Sequence, residues 1–106
     1  MNHIVKYKGT TLYPPAIFDV LDDVLYVENY VMIVNTNEYG NDHILIKVGL
    51  TKQPAFDVTK ALKDRFRARI RVAPDIEICP VDEIKKINHS DMNRKPIKFI
   101  DNRKSK

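Results

Sequence analysis

With 106 residues, 43% of them hydrophobic and 30% charged, the chain has the length and balance of one compact globular domain. That composition excludes a disordered polyelectrolyte, and no apolar run approaches the roughly 20 residues that a membrane-spanning helix requires. The formal net charge of +4 is concentrated in residues 60–71 and 94–106, which suits a polyanionic partner but is equally the mark of a solvated basic face.

Met1-Asn2-His3 leads directly into Ile4-Val5-Lys6-Tyr7-Lys8, a short strand that ends at Gly9 and the Thr10-Thr11 pair. That start leaves no room for a secretory leader, so a cytoplasmic domain is the expectation. Pro14-Pro15 suits the first turn of a helix, where a missing N–H costs nothing. Ile17, Val20, Leu21 and Val24 then follow at helical spacing. Residues 29–35 predict a strand, residues 36–42 a polar turn, and Ile44, Ile46 and Val48 the apolar face of a second strand paired with the first.

A second helix is expected over residues 56–69, with Val58, Leu62, Phe66 and Ile70 on one stripe. Arg65 and Arg69 share one of its other faces, Arg67 and Arg71 another, and all four read as solvated. Asp75-Ile76-Glu77-Ile78-Cys79 is a closing strand stopped by Pro80. The order β-α-β-β-α-β predicts a small α+β sandwich: an antiparallel sheet with helices packed on one face. Beyond Pro80, residues 81–87 offer one or two helical turns. Residues 89–98 read as a working loop, with Lys98-Phe99-Ile100 a brief apolar return.

Chemistry-bearing patterns are sparse. Gly9, Gly40 and Gly49 are the three glycines, so there is no phosphate-cradling loop. His3, His43 and His89 lie on three different predicted elements without ligand spacing, and no metal site is expected. Ser90 and Ser105 stand outside any nucleophile elbow. Cys79 reads as a small core residue. A complete catalytic set is not visible.

Two segments rise above this background. One is Lys6-Tyr7-Lys8-Gly9-Thr10-Thr11-Leu12-Tyr13-Pro14-Pro15-Ala16-Ile17, followed by Val20-Leu21. The other is Asn93-Arg94-Lys95-Pro96-Ile97-Lys98-Phe99-Ile100-Asp101-Asn102-Arg103. They resemble the first and last segments of the C-terminal domain of the phenylacetate–CoA ligase family, within the adenylate-forming, AMP-binding enzymes. Departures from the family pattern are Asn2-His3 in place of an acidic pair, Arg94 in place of glycine and Lys98 in place of arginine.

The resemblance implies that residues 1–106 form one domain, the lid of an acid–CoA ligase, with residues 1–3 a hinge remnant in which Asn2 takes the hinge position. It implies that residues 88–98 carry the adenylation lysine, Lys95, and that Lys8, Gly9, Thr10 and Thr11 line the coenzyme A channel. ATP and Mg2+ would be bound mainly by an N-terminal adenylation domain, and the substrate would be a carboxylic acid such as phenylacetate. The isolated chain is expected to be inactive. Physically, a lysine at that point lowers the repulsion between a carboxylate and the α-phosphate it attacks, and Pro96 would hold Lys95 extended.

Without the resemblance, Lys95 is one more solvated lysine and Gly9 a turn glycine. The competing expectation is a ferredoxin-like regulatory or nucleic-acid-binding module, with Tyr30 and Tyr39 available for base stacking. The central strands lack the usual glycine–aromatic motif of such readers, so nucleic acid is not expected as a partner.

Overall fold

The computed structural model describes residues 4–89 and 97–103. The chain opens with a hairpin, β1 (Val5–Tyr7) and β2 (Thr10–Leu12), which stands apart from the main sheet. Its register pairs Val5 with Leu12 and Tyr7 with Thr10, leaving Lys8 and Gly9 as the two-residue turn. Both turn residues have positive φ, 51° at Lys8 and 79° at Gly9. Such turns match the right-handed twist of the flanking strands. The second strand replaces the expected loop at Thr10 and Thr11. Only Leu12 of its three residues is buried, so it carries almost no apolar signal.

Pro14 and Pro15 start α1 (Pro14–Asp22), whose buried stripe of Ile17, Val20 and Leu21 is the one expected; Val24 continues it past the helix end. β3 (Val27–Thr36) and β4 (Asp42–Leu50) then form the long antiparallel hairpin at the centre of the molecule. Side chains alternate across a sheet, so the paired residues Tyr30 and Val48, Met32 and Ile46, Val34 and Ile44 share one face, and all six are buried. α2 (Val58–Ile70) closes the same core with Val58, Leu62 and Phe66. Fully burying side chains of this size contributes roughly 1.5–3 kcal/mol each. The Asp57 carboxylate caps the start of α2 by accepting from the Lys60 amide, and left-handed Arg71 ends it.

β5 (Asp75–Ile78) and β6 (Phe99–Asp101) complete a four-stranded sheet in the order β5-β4-β3-β6. The α+β class is as expected, but the sheet is mixed rather than wholly antiparallel: β5 runs parallel to β4, and β6 parallel to β3. The chain reaches each edge strand after a helix, and such a crossover allows parallel pairing. Helices also cover both faces, not one. α3 (Val81–Asn88) packs over the side opposite the main core, where Val31 and Ile84 are fully buried. Among the described residues no helix is long and apolar enough to cross a membrane.

Candidate functional site

The Lys8-Gly9 turn overhangs a cleft of about 480 Å³ whose other walls come from the β3–β4 turn and from Asp75 at the start of β5. Lys6, Tyr7, Lys8 and Gly9 line it from the first hairpin; Asn37, Asn41, Asp42 and His43 line it from the β3–β4 turn and the start of β4. Thr10 and Thr11 are not in the described lining, because they pair with Tyr7 and Lys6 as β2. Gly9 has no neighbour within 4 Å of where a β-carbon would stand, so its role is the positive φ and not a close packing contact. The Lys8 ammonium lies 5.3 Å from the Tyr7 ring centroid, a cation–π distance.

Fixed charges line this cleft. His43 Nε2 lies 2.7 Å from Asp75 Oδ2, joining β4 to the neighbouring strand. The Tyr7 ring meets His43 edge-on at 6.4 Å. Burial, and then the Asp75 charge, raise the Tyr7 phenol's pKa, so it stays a neutral donor.

A single carboxylate oxygen, Asp42 Oδ2, accepts from the Lys6 backbone N–H at 3.2 Å and from Arg103 Nη1 at 3.1 Å. Arg103 also donates from Nη1 to the Ile4 carbonyl at 3.0 Å, and from Nε and Nη2 to the two oxygens of Asp101 at 2.9 and 2.8 Å. This is the planar two-pronged geometry for which arginine is suited and lysine is not. The Asp101 bonds outweigh burial and push the guanidinium pKa upward. The two sequence segments singled out above, which lie at opposite ends of the chain, thus share one acceptor on the β4 strand. Arg103 ends the second of these segments; Asp42, His43 and Asp75 carry no sequence signal beyond turn and strand polarity.

A second group of contacts surrounds the stem of the Lys95 segment. Asn88 is 5% exposed and is the buried polar side chain among the described residues. Its Nδ2 donates to the Tyr30 carbonyl at 3.2 Å and to the Ile97 carbonyl at 2.6 Å. Its backbone carbonyl accepts from the Ile97 N–H at 2.7 Å. The Lys98 ammonium lies 5.5 Å from the Tyr30 ring, whose hydroxyl donates to Asp22 at 2.8 Å. Burial, followed by that hydrogen bond, raises the Tyr30 pKa. Lys95 itself and Asn2 lie outside the described residues.

Tyr30 is 6% exposed and cannot stack on a base, which removes one of the two aromatics proposed for nucleic-acid reading; Tyr39 is exposed, but on the hairpin turn. Sequence also placed Cys79 in the core, and it is 6% exposed. Its thiol lies with Glu77 and Glu83 in a group whose ligand-type atoms are all within 4.8 Å of one another. Burial, then bonds to Glu77 and Glu83, push the thiol pKa up to about 12.

A small mixed α+β domain, with a tight hairpin turn near one end of the chain and Arg103 held by Asp42 and Asp101 near the other, is the class defined by this architecture. The sequence profile of the AMP-binding enzyme C-terminal domain family matches residues 9–103, and the chain belongs to that family. Its fold is similar to a domain of a phenylacetate-coenzyme A ligase from Bacteroides vulgatus ATCC 8482, at TM-score 0.69 and 19% identity, covering 97% of this chain and 95% of that one. It is also similar to 2-hydroxyisobutyryl-CoA ligase in complex with 2-HIB-AMP and CoA in the thioesterification state, at TM-score 0.72 and 16% identity. There the match covers 97% of this chain but only 22% of the ligase. An amide bond synthetase from Marinactinospora thermotolerans matches at TM-score 0.59 and 14% identity, over 72% of this chain and 16% of that one. A search of curated protein sequences gives no match.

Proposed function

We propose that this domain is the lid of an ATP-dependent acid–CoA ligase, working with a larger N-terminal adenylation domain that binds ATP, Mg2+ and a carboxylic acid. In the first half-reaction the acid's carboxylate attacks the α-phosphorus of ATP, expelling pyrophosphate and leaving an acyl-adenylate. Lys95 is the residue assigned to bridge the two approaching anions, where removal of one electrostatic contact typically costs on the order of 10²–10³ in rate. In the second half-reaction the thiol of coenzyme A displaces AMP. The Lys8-Gly9 turn, with Thr10 and Thr11 behind it in β2, is assigned to the thiol arm's channel, and Asn2 to the hinge. Phenylacetate is the acid suggested by the sequence resemblance.

The observation that carries this reading is the shared Asp42 oxygen. It ties Lys6, in the first of the two ligase-like segments, to Arg103, in the second. Two stretches that resemble the working parts of one family, and that one carboxylate fastens together, are best explained as a single functional unit. The nucleic-acid reading is weaker, because helices pack on both faces of the sheet that would have to be open.

The test is Lys95→Ala in the whole ligase, with each half-reaction followed separately. ATP–pyrophosphate exchange should fall by on the order of 10²-fold or more, while supplied acyl-adenylate is still converted to the CoA thioester. Unchanged exchange would remove Lys95 from the reaction.

A further inference from the structure

Asn88 is the last residue of α3, and its position in the fold is unusual for an asparagine. A buried carboxamide is costly unless its donors are used, at roughly 1–3 kcal/mol for a group left unpaired. Both Asn88 donors are used, and on different parts of the chain. One bond reaches the Tyr30 carbonyl on β3, just ahead of the first β3–β6 pair, Met32 with Phe99. The other reaches the Ile97 carbonyl, while Ile97 returns its N–H to the Asn88 backbone carbonyl. Residues 88 and 97 are therefore held together where the chain leaves α3 and where it rejoins the sheet, and the same side chain fixes that junction to the central strand. The Met32 N–H then donates to the Lys98 carbonyl at 2.8 Å, so the sheet ladder takes over one residue later.

The anchor is itself braced. Tyr30, whose carbonyl receives the Asn88 bond, is buried and tied through its hydroxyl to Asp22 at the end of α1. An apolar side chain at position 88 would fill the same space without linking Tyr30 to Ile97. Packing alone therefore does not account for an amide here. Lys95 lies two residues before Ile97 in the sequence.

We infer that Asn88 is a positioning residue for adenylation: it pins the base of the segment bearing Lys95 to the central strand, so that the lysine is delivered from a fixed origin. This inference rests on the lid reading above. Misplacing a catalytic group by about 1 Å costs on the order of 10²-fold in rate. Asn88→Leu should therefore act on the first half-reaction and spare the second, which uses the opposite end of the domain.

Three measurements test it. First, amide hydrogen exchange on the 106-residue chain should show the Ile97 N–H exchanging at least tenfold faster in Asn88→Leu than in the parent, with amides in α2 unchanged. Unchanged Ile97 protection overturns the clamp. Second, in the whole ligase, with whichever acid of an aryl and short-chain carboxylate panel the parent turns over fastest, Asn88→Leu should lower kcat for ATP–pyrophosphate exchange by 10- to 100-fold. KM for ATP and thioester formation from supplied acyl-adenylate should stay within about twofold. Equal losses in both half-reactions would make Asn88 merely structural. Third, Asn88→Asp places an acceptor against two carbonyls and regains a donor only when protonated, so its exchange rate relative to the parent should rise as pH falls; a flat ratio also counts against the inference. Lys95→Ala separates the two failures: if it abolishes exchange while Asn88→Leu does not, the lid reading stands and the clamp falls. If Lys95→Ala leaves exchange intact, the lid reading fails first.

Discussion

Gly49 offers the sharpest stability test of how α3 is seated. It lies on β4 opposite Asn29, and its backbone φ is not positive, so its need for glycine is one of space. A β-carbon there would collide with Asn29 Oδ1 and stand 3.1 Å from both Cα and Cγ2 of Val81, the first residue of α3. Asn29 has little freedom to yield, because its Nδ2 donates to the Val81 carbonyl at 3.1 Å and its Oδ1 is buried. Gly49→Ala must move Asn29, losing a bond of about 1 kcal/mol, or lift the helix start, an overpacking cost of about 1–3 kcal/mol. The gain from replacing a strand glycine, about 0.5–1 kcal/mol, offsets part of this. A net loss of about 1 kcal/mol, and no more than about 2.5 kcal/mol, follows, which for a domain of this size lowers Tm by about 4–8 °C per kcal/mol. Urea and thermal denaturation of Gly49→Ala, Asn29→Ala and the double variant measure it. Removing the Asn29 side chain should make room for the new methyl, so the double variant should be more stable than the sum of the single effects by at least about 0.5 kcal/mol. A Gly49→Ala protein as stable as the parent, or strict additivity, would refute the steric account.

Asp42→Asn should weaken the acceptor shared by Lys6 and Arg103, costing about 1–2 kcal/mol and speeding exchange of the Lys6 amide; unchanged Lys6 protection would show that the hairpin is held by other contacts. Cys79 should resist alkylation. With its pKa pushed up to about 12, iodoacetamide labelling at pH 8 should run on the order of 10³-fold slower than an ordinary thiol, and Glu77→Gln should accelerate it. The linkage has a definite sign: a thiol held above its unfolded pKa of about 8.5 contributes stability below that pH and loses it as pH rises toward the folded value. Relative to Cys79→Ala, the parent should therefore become progressively less stable above about pH 9, and a pH-independent difference would contradict the burial argument.

Apolar spacing made the scaffold readable. Val58, Leu62 and Phe66 are buried on α2, with Ile70 packed against the core at its end, and Ile44, Ile46 and Val48 are buried on β4 as alternation requires. The helix start at Pro14 and the closing strand at Asp75 also stand where proline and composition put them. Two short elements escaped for a physical reason: β2 buries only Leu12 of its three residues and β6 fully buries none, so neither shows the alternation that made the equally short β1 readable. Strand direction escaped because it is set by where a crossover returns, which no local residue encodes. Among the site residues, Lys8 and Gly9 were visible through turn chemistry and the family-like segment. Asp42 and Asn88 were not: a polar residue in a turn or at a helix end reads as solvated, and the partners lie far along the chain, Tyr30 on β3 58 residues from Asn88 and Arg103, just past β6, 61 residues from Asp42.

The flanking strands have a further consequence for how the molecule behaves among its own kind. β3 and β4 are ten and nine residues long, whereas β5 and β6 have four and three. Long strands with open backbone donors and acceptors invite templated addition of foreign chains, and here they are sheathed by short ones. Cutting the polypeptide ahead of Phe99 would strip the guard from β3, exposing the rim beside Met32, Ile33 and Val34. Such a truncated product should self-associate at concentrations where the intact protein stays dispersed.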